Sequence, residues 1–120
     1  MGNCGCGGTR LIYACSGCAD VGEAADRAVR MISKTGKAKM SCLAGIGAGL
    51  DGFIKSAQAA CGNVVVDGCG VACAKKTLEK HGVAAQSFVL TEMGFVKGET
   101  STEKAVIDAL TDKIVQKMKA

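Results

Sequence analysis

Four times along the chain a short apolar run gives way, at a glycine or a small polar residue, to a stretch with helical periodicity. This rhythm constrains the fold more than any other feature, because strands separated by helices pair in parallel. Leu11-Ile12-Tyr13-Ala14 is the first run. After Cys15-Ser16-Gly17-Cys18-Ala19, Asp20 is placed to cap a helix whose Val21, Ala25, Ala28 and Ile32 share a face until Gly36 stops it. Residues 38–43 predict a second, less hydrophobic strand. The glycine-rich 44–49 then leads into a helix with Leu50, Phe53, Ile54 and Ala57 on one face. Val64-Val65-Val66 is β-branched with no polar alternation, as a strand covered on both faces requires. Residues 71–81 predict a helix closed by Gly82, and residues 87–91 a fourth strand. The longest helix is expected over 99–119, with Thr100 and Glu103 spaced as a capping box and an apolar stripe of Val106, Ile107, Leu110, Ile114 and Met118.

Four strand–helix repetitions with right-handed crossovers imply an α/β fold: a single three-layer αβα domain with a mostly parallel four-stranded sheet, Rossmann-like. At 120 residues, 48% of them apolar, the chain fills one core. That domain is read as residues 11–120, preceded by a flexible Gly/Cys-rich terminus over 1–10.

Charge and composition exclude several partners. Lysines are interspersed with acidic residues, the net charge is +4 and aromatic residues make up 3%, so neither a phosphate-tracking groove nor a base-stacking platform is present. Nucleic acid is not an expected partner. The apolar runs are strand-length, short of the roughly 20 residues of a spanning helix. The opening Met1-Gly2-Asn3-Cys4-Gly5-Cys6-Gly7-Gly8 lacks the basic flank and apolar stretch of a signal peptide. The expectation is a cytoplasmic protein without a membrane partner. In that compartment eight cysteines point to metal or redox chemistry rather than a disulfide framework.

The cysteines have a positional regularity. Cys15 follows the first strand, Cys42 ends the second and Cys69 follows the third, so three βα junctions each deliver a thiol to the same edge of a parallel sheet. Cys18 lies three residues beyond Cys15, and Cys73 four beyond Cys69, one helical turn further on the same face. Five sulfurs are thus expected to converge where ligands of open α/β sheets bind. Thiolates at helix N-termini, two of them in a C-x-x-C turn, suit zinc, and Cys15, Cys18, Cys42, Cys69 and Cys73 are the expected metal ligands. Cys61 falls at the opposite edge and reads as a core residue; Cys4 and Cys6 could reach a metal or a thiol-containing partner.

These residues resemble the DGC domain family, named for the triplet seen here as Asp67-Gly68-Cys69. The similarity runs through Cys15-Ser16-Gly17, Ser41-Cys42-Leu43-Ala44-Gly45, Asp67-Gly68-Cys69 with Cys73, and Thr91-Glu92-Met93-Gly94, from about Leu11 to Lys97. The resemblance implies zinc binding through four potential chelating cysteines, which fall on Cys15, Cys42, Cys69 and Cys73. Members vary at the position of Cys18, and many have proline where this chain has Gly70.

The sequence reading is therefore a zinc-binding protein with a role in metal handling or sensing. The alternative is a thiol-based redox protein or enzyme, or an iron–sulfur protein, using the same cysteines. A thioredoxin fold is disfavoured because the chain has no proline. A low-molecular-weight phosphatase needs an arginine six residues after its nucleophile, where Val21 and Ala24 stand relative to Cys15 and Cys18. Gly45-Ile46-Gly47-Ala48-Gly49 lacks the third glycine of a nucleotide fingerprint and reads as close backbone packing. Asp67 is expected to hold the turn beside Cys69, with acid–base chemistry as its alternative, and His81 to sit at a helix end away from any ligand set.

Overall fold

The computed structural model describes residues 9–118. Strand β1 (Arg10–Ala14) leads to helix α1 (Asp20–Lys34), β2 (Lys39–Met40), α2 (Leu43–Gly47), α3 (Asp51–Ala59), β3 (Gly62–Asp67), α4 (Cys73–Lys80), β4 (Gln86–Val89), a 3₁₀ turn (Leu90–Glu92) and α5 (Lys104–Lys117). All strand pairs are parallel, in the order β2-β1-β3-β4. The register places Ile12 beside Val64, and Val66 beside both Ala14 and Phe88.

This order reverses direction once, between β1 and β3. A right-handed crossover to one side of a strand puts its helix on one face, and a crossover to the other side puts it on the opposite face. The two cores follow that rule. Ile12, Ala14, Val64 and Val66 pack with α1 and α5 through Val29, Ile32, Leu110 and Ile114. Leu11, Tyr13 and Val65 pack on the other face against Ile46, Ala57, Ala74 and Leu78 of α2, α3 and α4. Alternate residues of β1 thus face different helices, the period-two consequence of a strand buried on both sides. No described helix is long and apolar enough to cross a membrane.

Several local expectations are corrected. Asp20 is the first residue of α1 rather than its cap, and its carboxylate accepts from the N–H groups of Val21, Gly98 and Thr100. Strand β2 is two residues long instead of the expected 38–43, because Cys42 already caps α2. The glycine-rich stretch is partly helical itself, and Leu50 and Phe53 remain exposed at 52% and 37% while Ala57 is buried. Phe53 lies so close over Gly45 that a side chain at Gly45 would meet its ring. Helix α4 begins at Cys73 rather than at residue 71, since Ala72 is left-handed (φ 54°, ψ 48°). Strand β4 ends at Val89. The capping box does not form: α5 starts at Lys104, the Thr100 hydroxyl donates to the Val96 carbonyl, and the Glu103 N–H donates to Ser101 Oγ.

Candidate thiol centre

The C-terminal ends of β1 and β3 lie side by side at the point where strand order reverses, the position at which open parallel sheets bind ligands. Cys15 and Cys69 follow these two strands and flank that point. The Cys15 N–H continues the ladder by donating to the Val66 carbonyl at 3.1 Å. Its Sγ, half-buried, accepts the Gly68 N–H at 3.3 Å. Cys42 follows β2 and is the N-cap of α2, its Sγ accepting the Gly45 N–H at 3.3 Å. Cys73 opens α4, and Cys18 lies exposed in the loop before α1. All five expected ligands are thus free thiols at one edge of the sheet.

Glycine packing brings two of these loops together. A Cβ at Gly68 would lie 2.8 Å from the Val21 carbonyl carbon and 2.9 Å from Gly22 N, and a Cβ at Gly22 would lie 2.7 Å from Gly17 N. Gly17, Gly22 and Gly68 therefore let the Cys15–Cys18 loop, the first turn of α1 and the Asp67-Gly68-Cys69 corner approach backbone to backbone.

Asp67 has the structural role. Buried at the end of β3, it accepts the Ala74 N–H at 2.8 Å and the Lys75 N–H at 3.1 Å, satisfying two orphan donors of α4 that Ala72 cannot cap. Between these points the chain makes a turn, with the Ala72 N–H on the Cys69 carbonyl at 3.0 Å. Cys69 is consequently outside α4, and the expected one-turn spacing of Cys69 and Cys73 on a helical face is replaced by this turn. Among the described residues, positive φ at a non-glycine occurs at Ser16 (52°) and Ala72 (54°), each adjacent to a cysteine of the site. Ser16 is held by its hydroxyl bond to Asp26 on α1, at 2.7 Å.

Sequence reading missed one wall of the site. The segment between the 3₁₀ turn and α5 crosses the same edge, bringing Lys97 Nζ to 3.9 Å from Cys69 Sγ. Its backbone is fastened beside that lysine, where Asp20 accepts the N–H groups of Gly98 and Thr100 at 2.9 Å each. These bonds, Gly98 first and Thr100 next, hold the Asp20 carboxyl below its ordinary pKa. Arg27 of α1 also donates to the Thr102 carbonyl. Nothing in the local pattern around Lys97 signals this role, since its partner is 28 residues away.

As donors, the thiols suit a soft metal such as zinc. Their positions do not form a ready-made cage, because among the described residues no three His, Cys, Asp or Glu side chains are grouped to hold an ion. Cys61 lies just before β3 at the far edge, half-buried rather than within the core. Cys4 and Cys6 lie outside the described residues. His81 is the C-cap of α4, ahead of Gly82 at φ 74°, away from the thiol edge as expected. A separate, largely apolar cavity of about 440 Å³ between Met93–Phe95 and α5 contains no cysteine.

The family model described as DGC domain matches residues 11–116, from β1 into the last turn of α5. The chain belongs to the DGC domain family. The triplet that names the DGC domain is the corner at the switch point, and its three residues divide the work there. Asp67 caps α4, Gly68 touches α1, and Cys69 presents a thiol. The chain is also similar to the anaerobic and virulence modulator AnvM of Pseudomonas aeruginosa, 33% identical over 88 residues that cover 72% of this chain and 67% of that relative. No solved structure matches significantly.

Proposed function

We propose that this DGC domain binds a zinc ion through thiolates at the switch point of its sheet, in metal handling or sensing, with Cys15, Cys42, Cys69 and Cys73 as ligands and Cys18 as a neighbouring fifth thiol. The observation that carries the reading is the placement of all five free thiols at one sheet edge, with Cys15 Sγ accepting the N–H of Gly68, the residue before Cys69. Bound zinc would supply a positive charge that keeps its ligand thiols deprotonated. The protein's part is to deliver soft donors from three βα junctions and to direct backbone N–H groups at two of the sulfurs. A sensing role also draws support from the anaerobic modulator among its relatives.

Metal analysis and an absorption spectrum of protein purified without oxygen test the reading. One colourless equivalent of zinc is expected, retained in Cys18→Ser and lost in Cys69→Ser. Visible charge-transfer bands would replace zinc by an iron–sulfur cluster. Metal-free protein with a reversible Cys15–Cys18 disulfide would overturn the proposal in favour of thiol redox chemistry. That second reading is favoured by the ammonium of Lys97 beside Cys69, an arrangement suited to a reactive thiol.

A further inference from the structure

Lys97 places an ammonium 3.9 Å from Cys69 Sγ, and none of the ion pairs among the described residues engages it. The chain is hydrogen-bonded to the site both before and after Lys97. The Asp20 carboxylate grips Gly98 and Thr100 just after it, while before it the Thr91 N–H is bound to the Gly68 carbonyl at 3.2 Å, next to Cys69 itself. The positive charge therefore stands over a half-buried thiol at the ligand-binding edge, where an incoming molecule must meet both.

We infer that this pair makes Cys69 selective for small anionic disulfides: a carboxylate-bearing disulfide reacts at Cys69 with its carboxylate against the Lys97 ammonium, and Asp20 is the positioning residue for that ammonium. The inference rests on the thiol reading of this edge and concerns Cys69 free of metal. In the exchange, the Cys69 sulfur attacks one sulfur of the disulfide, a protein–ligand S–S bond forms and the ligand's S–S bond breaks. The departing thiolate takes up the proton that Cys69 loses. Cys69 is oxidised, one half of the disulfide is reduced, and no further oxidant is required.

The test compares two probes of opposite charge on reduced, chelator-treated full-length protein: glutathione disulfide, which is anionic, and cystamine, which is cationic. Peptide mass spectrometry follows the mixed disulfide at each cysteine. Both probes use the same Cys69 thiolate, so the ratio of their rates cancels its abundance and reports the charge that the ligand meets. An exposed opposite-charge contact supports a ratio change of about threefold in Lys97→Met, more in Lys97→Glu, and little in Lys97→Arg. Added salt narrows the ratio in the wild type. Asp20→Asn, which weakens the grip on Gly98 and Thr100, shifts the ratio in the same direction as Lys97→Met by a smaller factor. An unchanged ratio at Cys69 in both Lys97→Met and Lys97→Glu, or an equal fall at Cys73, overturns the selectivity; a wild-type ratio in Asp20→Asn overturns the positioning role. Zinc content is measured separately, so a protein that purifies without zinc yet keeps a Lys97-dependent ratio refutes the metal reading alone.

Discussion

The backbone N–H of Gly68 donates to the sulfur of Cys15 at 3.3 Å, joining the loop after β1 to the corner after β3 across the switch point of the sheet. This contact exists because neither Gly68 nor its neighbour Gly22 carries a side chain. The two thiol-bearing loops approach until their main chains touch α1, and any added carbon intrudes on backbone.

Gly68→Ala and Gly22→Ala should accordingly each lower stability by about 1–3 kcal/mol, the usual cost of overpacking where the obstructing atoms cannot move aside. Gly52→Ala is the control. Gly52 lies within α3 with open space around its Cβ position, and the substitution should raise stability by about 0.5–1 kcal/mol. Urea denaturation of the three variants separates the outcomes.

Asp67→Ala removes both acceptors at the start of α4 and strands two N–H groups at a buried corner. A loss of about 2–3 kcal/mol is expected, with Asp67→Asn intermediate because one acceptor survives. Denaturation midpoints measure the loss. Unchanged stability in Asp67→Ala would leave the acid–base role for this carboxylate.

Ala72 adopts a left-handed conformation that costs an alanine about 1–2 kcal/mol relative to glycine. Ala72→Gly should stabilise the fold, although the added freedom of the unfolded chain reduces the net gain to about 1 kcal/mol or less. Thermal melts check the sign. Ser16→Gly should gain less, since it also forfeits the hydroxyl bond to Asp26.

Tyr13, fully buried in β1, has its pKa raised to about 12 by burial, against the opposing effect of a hydrogen bond with Ser41. The folded-state pKa lies above the unfolded value, so the associated stability is present below about pH 10 and is lost as pH rises toward about 12. Relative to Tyr13→Phe, the wild type should lose about 1.4 kcal/mol per pH unit in that window. The chain has one tyrosine and no tryptophan, so near-ultraviolet titration of tyrosinate reads this group alone.

Much of the fold was legible in the pattern of the chain, and the misreadings share a cause. Val64-Val65-Val66 could only be a strand covered on both faces, and the stripe Ile107, Leu110 and Ile114 could only be the buried side of a helix. Boundaries failed where a short polar side chain had more than one backbone group to choose from. Asp20 was spaced as a helix cap but grips residues 98 and 100, and Thr100 was spaced as a cap but turns back to Val96. Local spacing cannot distinguish such partners when they are nearly equal in energy and one of them is remote.

The site divides in the same way. Sequence by itself determined that Cys15, Cys42 and Cys69 follow successive strands and so share an edge, because parallel strands send every βα junction to the same side. The tertiary structure alone decided that β1 and β3 are the adjacent pair, that Gly68 meets Cys15, and that Lys97 arrives beside Cys69. Periodicity is a property of neighbours along the chain and records which face a residue occupies. Those contacts span 53 and 28 residues, and they depend on how helices pack across the sheet, which no local pattern encodes.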